Sequence, residues 1–123
     1  MLLAELDGRI VGSCHMSRLP WKHSHRADIG VALNLEIRGK GVGEALMRRT
    51  MELGIRRFRG LETVELSAFA YNDRALALYK KLGFEECARI PRSAREGRIY
   101  FDEVLMRLDL PPARRGRKSM RGR

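Results

Sequence analysis

A glycine-crowded turn, Arg38-Gly39-Lys40-Gly41-Val42-Gly43, stands between a strand-like run, Ala27 to Leu33, and an amphipathic run that begins near Gly43. A strand that reverses through such a turn into a helix points to a mixed α/β fold. The turn also carries chemistry. The first backbone N–H groups of a helix have no intrahelical acceptor and sit at the positive end of its dipole, which makes them a seat for phosphate. A side chain at Gly41 or Gly43 would hold a pyrophosphate away from those amides. The turn therefore points to a nucleotide-containing cofactor, although taken alone it is equally an ordinary glycine-rich entry to a helix.

Two familiar phosphate loops are excluded. A P-loop needs Ser or Thr after Gly-Lys, and Gly41 follows Lys40 here. The dinucleotide fingerprint Gly-x-Gly-x-x-Gly fails from either start, at Glu44 or at Leu46, even though Glu62 lies where a ribose-binding acid would stand.

A second cluster lies downstream, Tyr71-Asn72-Asp73-Arg74-Ala75-Leu76-Ala77-Leu78-Tyr79-Lys80-Lys81-Leu82-Gly83-Phe84. With it the chain resembles the GNAT superfamily of acyl-CoA-dependent N-acetyltransferases. That family's first motif, Arg/Gln-x-x-Gly-x-Gly/Ala, is matched by Arg38, Gly41 and Gly43. Its second, an Asn ending a strand before a short helix that closes in Leu-Gly-Phe, is matched by Asn72, Ala75, Tyr79, Leu82, Gly83 and Phe84. The resemblance runs from about Leu2 to Leu110.

The resemblance implies acetyl-CoA as cosubstrate and assigns a role to each matching residue. The backbone of Ala32 and Leu33 would pair with the pantetheine arm. Arg38, Gly39, Lys40, Gly41, Val42, Gly43 and Glu44 would hold the pyrophosphate. Asn72 would hydrogen-bond the pantetheine, or else cap the helix it precedes. Tyr79 would protonate the departing sulfur as general acid, or else pack as an amphipathic side chain. The base stays open. Some relatives place a Glu where this chain has Ser67; Glu65, Asp28, Glu36 and a chain of waters are the alternatives. The implied reaction is direct attack, in a ternary complex, of a primary amine (amino acid, peptide N-terminus or small amine). The alternative is a non-catalytic CoA-binding or interaction module.

The resemblance also implies a mostly antiparallel sheet, its central strands splayed and its helices in crossover connections. Typical members begin with one more strand and two helices, which wall the acceptor pocket, and this chain starts at what would be their second strand. Either that N-terminal portion is missing from this sequence or a partner subunit covers the side; an uncovered edge favours self-association, so a homodimer is the partner expected in the second case.

Pattern alone gives the order β-β-β-α-β-α-β-β. Leu2 to Leu6 and Arg9 to Met16 form a hairpin about Asp7-Gly8. Pro20 to Arg26 is a loop and Ala27 to Leu33 the third strand. A helix over about Val42 to Phe58 presents Leu46 and Leu53 and is ended by Gly60. Thr63 to Ala70 alternates as a strand, Asp73 to Lys81 is helical, and strands Glu85 to Ile90 and Arg98 to Leu108 flank a polar turn at Pro91 to Gly97.

At 123 residues one domain is expected over 1–110. No apolar run approaches the roughly 20 residues of a membrane span, the first residues lack a signal peptide's pattern, and two cysteines without Cys-x-x-Cys spacing suit a reducing cytoplasm. No metal is expected, since His15, His23, His25 and Cys14 lack ligand spacing. Residues 111–123 supply +6 of the net charge of +10 and are read as a basic disordered tail. Contact with nucleic acid or the ribosome is expected only through that tail, because the domain is read as lacking the exposed aromatic-basic interleaving of a single-strand platform.

Overall fold

The structure, a computed structural model, describes residues 1–34 and 37–111; Glu36 and the tail from 112 onward lie outside them. Its elements run β1 (Leu2–Leu6), β2 (Arg9–Arg18), β3 (Arg26–Leu33), α1 (Val42–Arg57), β4 (Thr63–Phe69), α2 (Asp73–Lys81), β5 (Glu85–Glu96) and β6 (Ile99–Asp109). The order matches the sequence expectation. The strands follow the sheet order β1-β2-β3-β4-β6-β5, and β1–β2, β2–β3 and β5–β6 are antiparallel. Among the described residues no helix is long and apolar enough to cross a membrane. These residues gather into two compact units, 1–64 with 110–111, and 65–109.

In the first unit the β1–β2 hairpin closes at Asp7-Gly8 with φ of 52° and 78°. Both values are positive, as a two-residue hairpin turn that follows strand twist requires. Helix α1 buries Gly43, Leu46, Met47, Thr50, Met51 and Gly54, a stripe at helical spacing. Leu53, expected on that face, is 38% exposed. It falls about a quarter turn from the stripe's centre at about 3.6 residues per turn, and Met51 takes the place in the core. A Cβ at Gly54 would meet the Met16 side chain of β2, so the glycine makes room for that methionine between helix and strand. Val11, Cys14, Ala27, Ile29, Ile37, Leu61 and Val64 complete this core.

In the second unit Leu66, Phe84, Val104 and Met106 are buried, while α2 has no fully buried residue. The polar turn expected at Pro91 to Gly97 is instead strand. Strand β5 runs on to Glu96 and the reversal is confined to Gly97 and Arg98. Proline would break an interior strand, but β5 is last in the sheet order, where a missing N–H costs no ladder bond. The pairing also shifts there. Ile90 faces Glu103 and Ala94 faces Phe101, so Pro91, Arg92 and Ser93 oppose Asp102 alone. The Asp102 carboxylate fills this bulge, accepting the Arg92 backbone N–H at 3.0 Å and the Arg89 Nε–H at 3.0 Å.

Candidate functional site

Within the first unit, β3 ends at Leu33 and α1 begins at Val42. Between them Gly39 and Gly41 both have φ of 80°, the left-handed region that a glycine enters without strain. Gly41 is the N-cap of α1 and makes no side-chain cap hydrogen bond. The cap residue of this 16-residue helix therefore occupies none of its early N–H groups. Arg38 and Lys40 are exposed on the same turn. Glu44, the one acid in the first turn, is paired with Arg48 at 2.9 Å, which offsets its repulsion of an anion. Beside the turn lies an open groove of about 490 Å³, with Leu2, Leu3, Val42 and Ala45 in its walls and Lys40 and Arg49 among its cations.

Ala32 is exposed near the end of β3. The next carbonyl, that of Leu33, accepts a long 3.4 Å hydrogen bond from Arg38 Nη2. The first motif thus folds back on the strand it follows. Arg38 holds the turn as well as contributing charge to it.

Within the second unit, β4 ends at Phe69 and the chain turns through Tyr71, with the Asn72 N–H donating to the Phe69 carbonyl at 3.0 Å. Asn72 Oδ1 accepts the Ala75 N–H at 3.2 Å, so this side chain is the N-cap of α2. The Nδ2 amide is a donor that the cap does not use. Tyr79 lies about two turns along the helix, half-buried, its ring edge-on to Phe84 with centroids 6.3 Å apart. Phe84 is 1% exposed, and its N–H donates to the Tyr79 carbonyl at 2.9 Å. The tyrosine is thereby fixed to the core from below.

Of the carboxylates considered as base, Glu65 faces Arg107 at 3.5 Å. Ser67 and Asp28 are exposed. Among the described residues no group of three His, Cys, Asp or Glu gathers as a metal site. The Cys14 thiol is pushed above its ordinary range chiefly by burial, with the Thr50 hydroxyl acting weakly the other way. A thiol so placed is a poor nucleophile.

Sequence reasoning missed an aromatic cluster next to Asn72. Phe69 stacks on Tyr71 at 5.6 Å and 7°, and Phe101 lies 5.2 Å from Tyr71. It also missed Asp102, whose carboxyl is held below the ordinary carboxylate range by the Arg92 backbone N–H first and then by Arg89.

A sequence model described as "Acetyltransferase (GNAT) family" matches residues 1–84. The chain is 36% identical over 86 residues to the L-amino acid N-acetyltransferase AaaT of Escherichia coli (strain K12), covering 68% of this chain and 52% of that protein. It is 32% identical over 94 residues to an N-alpha-acetyltransferase of Sulfurisphaera tokodaii, covering 68% of this chain and 55% of that one. The chain thus spans about half the length of these curated relatives. Among solved structures, yncA from Salmonella typhimurium, described with its cofactor acetyl-CoA, superposes with a TM-score of 0.79 at 22% identity, over 89% of this chain and 63% of that one. At that identity the likeness speaks for the fold.

Proposed function

Since the chain belongs to the acetyltransferase (GNAT) family, we propose that it transfers an acetyl group from acetyl-CoA to a primary amine. The observation that carries this reading is the uncapped start of α1, where Gly41 at φ 80° and the exposed Arg38 and Lys40 leave amides and cations for a pyrophosphate. Backbone N–H groups and a helix dipole recognise such an anion without loss on reorganisation. When bound, acetyl-CoA supplies the thioester. Arg38 and the amides of the turn hold its phosphates, and the Nδ2 amide of Asn72 donates to a pantetheine carbonyl. The Tyr79 hydroxyl gives its proton to the sulfur as the thiolate leaves. The amine must arrive neutral. With Glu65 engaged by Arg107 and a serine at 67, its proton passes to solvent water. The acceptor class is a free amino acid, a peptide N-terminus or a small amine, the first two being what the names of the two relatives describe for those proteins. Two unbridged cysteines suit work in the reducing cytoplasm.

The test is thiol release from acetyl-CoA with a panel of amino acids, peptides and small amines. The expected result is release with at least one amine and none without it. A folded, full-length protein that binds CoA yet releases no thiol with any amine would instead favour a non-catalytic CoA-binding module. The serine at 67 favours that second reading.

A further inference from the structure

Two segments far apart in sequence, 18–26 and 56–60, meet in the first unit, at the far end of α1 from the glycine turn. Arg18 Nη2 donates to the Arg59 carbonyl, and its guanidinium lies over the Phe58 ring, 5.5 Å from the centroid. The His25 carbonyl accepts the Glu62 N–H at 2.8 Å, which ties the first segment to the chain just beyond the second. Together the segments carry Arg18, Lys22, Arg26, Arg56, Arg57 and Arg59 with His23 and His25, and neither contains Asp or Glu. Lys22, Arg56, Arg57 and Arg59 are exposed. Folding has assembled a basic pole that the linear sequence spreads over forty residues.

Trp21 stands on this pole and is 82% exposed. Its backbone is held, not loose. The His23 N–H donates to the Pro20 carbonyl at 3.0 Å and the Ser24 N–H to the Trp21 carbonyl at 3.1 Å, while φ at Trp21 is 54°, rare for a bulky residue. Lys22 Nζ sits 4.8 Å from the ring centroid. A large apolar ring is thus offered to solvent on a fixed turn, against the tendency of such rings to be covered.

An exposed ring among cations, on segments that themselves hold no acid, fits a single-stranded polynucleotide, whose bases stack on the ring while its phosphates meet ammonium and guanidinium groups. A membrane surface would call for several exposed apolar side chains, and Trp21 is the only large one in these two segments. An acidic peptide would use the charges and leave the ring idle. We infer that the pole formed by 18–26 and 56–60 is a binding surface for single-stranded nucleic acid, separate from the acetyl-CoA seat and from the basic tail.

Trp21 is the only tryptophan, so its emission reports on this pole. The full-length protein is titrated with oligouridylate, following Trp21 fluorescence and, in parallel, the anisotropy of a labelled oligomer. The expected result is quenching that tracks the anisotropy, with a log–log salt dependence of about 0.7 per phosphate neutralised. The exposed charge reversals Arg56→Glu with Arg57→Glu, and Lys22→Glu, each weaken binding about tenfold or more. Trp21→Gly, which suits the positive φ and so spares the turn, weakens it about fivefold or more through lost stacking. Circular dichroism verifies that each variant is folded. Binding that leaves Trp21 emission unchanged, or that survives the reversals, belongs to the tail and overturns the inference. So does equal quenching by polyglutamate, a response to anionic phosphatidylglycerol vesicles but not to the oligomer, or no binding near physiological salt.

Discussion

Asn72 accepts the Ala75 backbone N–H at 3.2 Å through Oδ1, so the residue assigned to pantetheine is also the lock on the first turn of α2. Its two ends have separable duties. Asn72→Asp keeps the acceptor and loses the amide donor, so it is expected to leave thermal stability nearly intact while raising the KM for acetyl-CoA several-fold. Asn72→Ala loses both and also costs about 1 kcal/mol of stability. Paired melting curves and steady-state kinetics distinguish them. Equal kinetics for the Asn72→Asp variant and the wild type would limit Asn72 to capping.

Gly41 sits at φ 80° with open space where a Cβ would stand. Gly41→Asn, a residue that tolerates the left-handed region, is expected to fold normally yet bind CoA about tenfold more weakly, because its side chain occupies the anion's approach. Isothermal titration reads the affinity and a melt reads the stability. Unchanged affinity would move the pyrophosphate elsewhere.

Tyr79→Phe keeps the edge-on contact with Phe84 and removes only the hydroxyl. The expected outcome is a kcat lower by about a hundredfold with CoA affinity unchanged in a folded protein, as loss of a positioned general acid requires. A kcat within about twofold of wild type would hand the proton to another donor.

The Asp102 carboxyl is held below the ordinary carboxylate range by the Arg92 N–H and by Arg89. The stability it gives the bulge is therefore complete above the ordinary value and fades as pH falls through the lowered one. Amide exchange at Arg92, corrected for intrinsic rate, is expected to quicken on acidification. In Asp102→Ala it should be fast already at neutral pH and show no such acid dependence.

Cys14 is buried with its thiol pushed up, whereas Cys87 is exposed. Near about pH 8, iodoacetamide should label Cys87 alone in the folded protein, and Cys14 only after denaturation. Mass mapping of the alkylated peptides decides it.

The elements that sequence revealed are those whose signals are local. Asp7-Gly8 has one hairpin geometry, and the stripe from Leu46 to Thr50 has one period. The Asn72-to-Phe84 run carries its own start and stop. What stayed hidden depended on distant partners. Pro91 reads as a breaker until β5 is known to be the last strand and Asp102 to sit opposite. Leu53 reads as core until Met51 and Gly54 prove to hold the centre of the stripe. The basic pole exists only because the fold brings 18–26 against 56–60.

Both terminal strands of the sheet order carry a flaw in their ladder, β1 between Ala4 and Glu5 and β5 around Pro91 to Ser93. An incoming strand would find no long, regular row of donors and acceptors to zip onto at either margin. Concentrated protein is therefore expected to resist edge-to-edge growth into fibres.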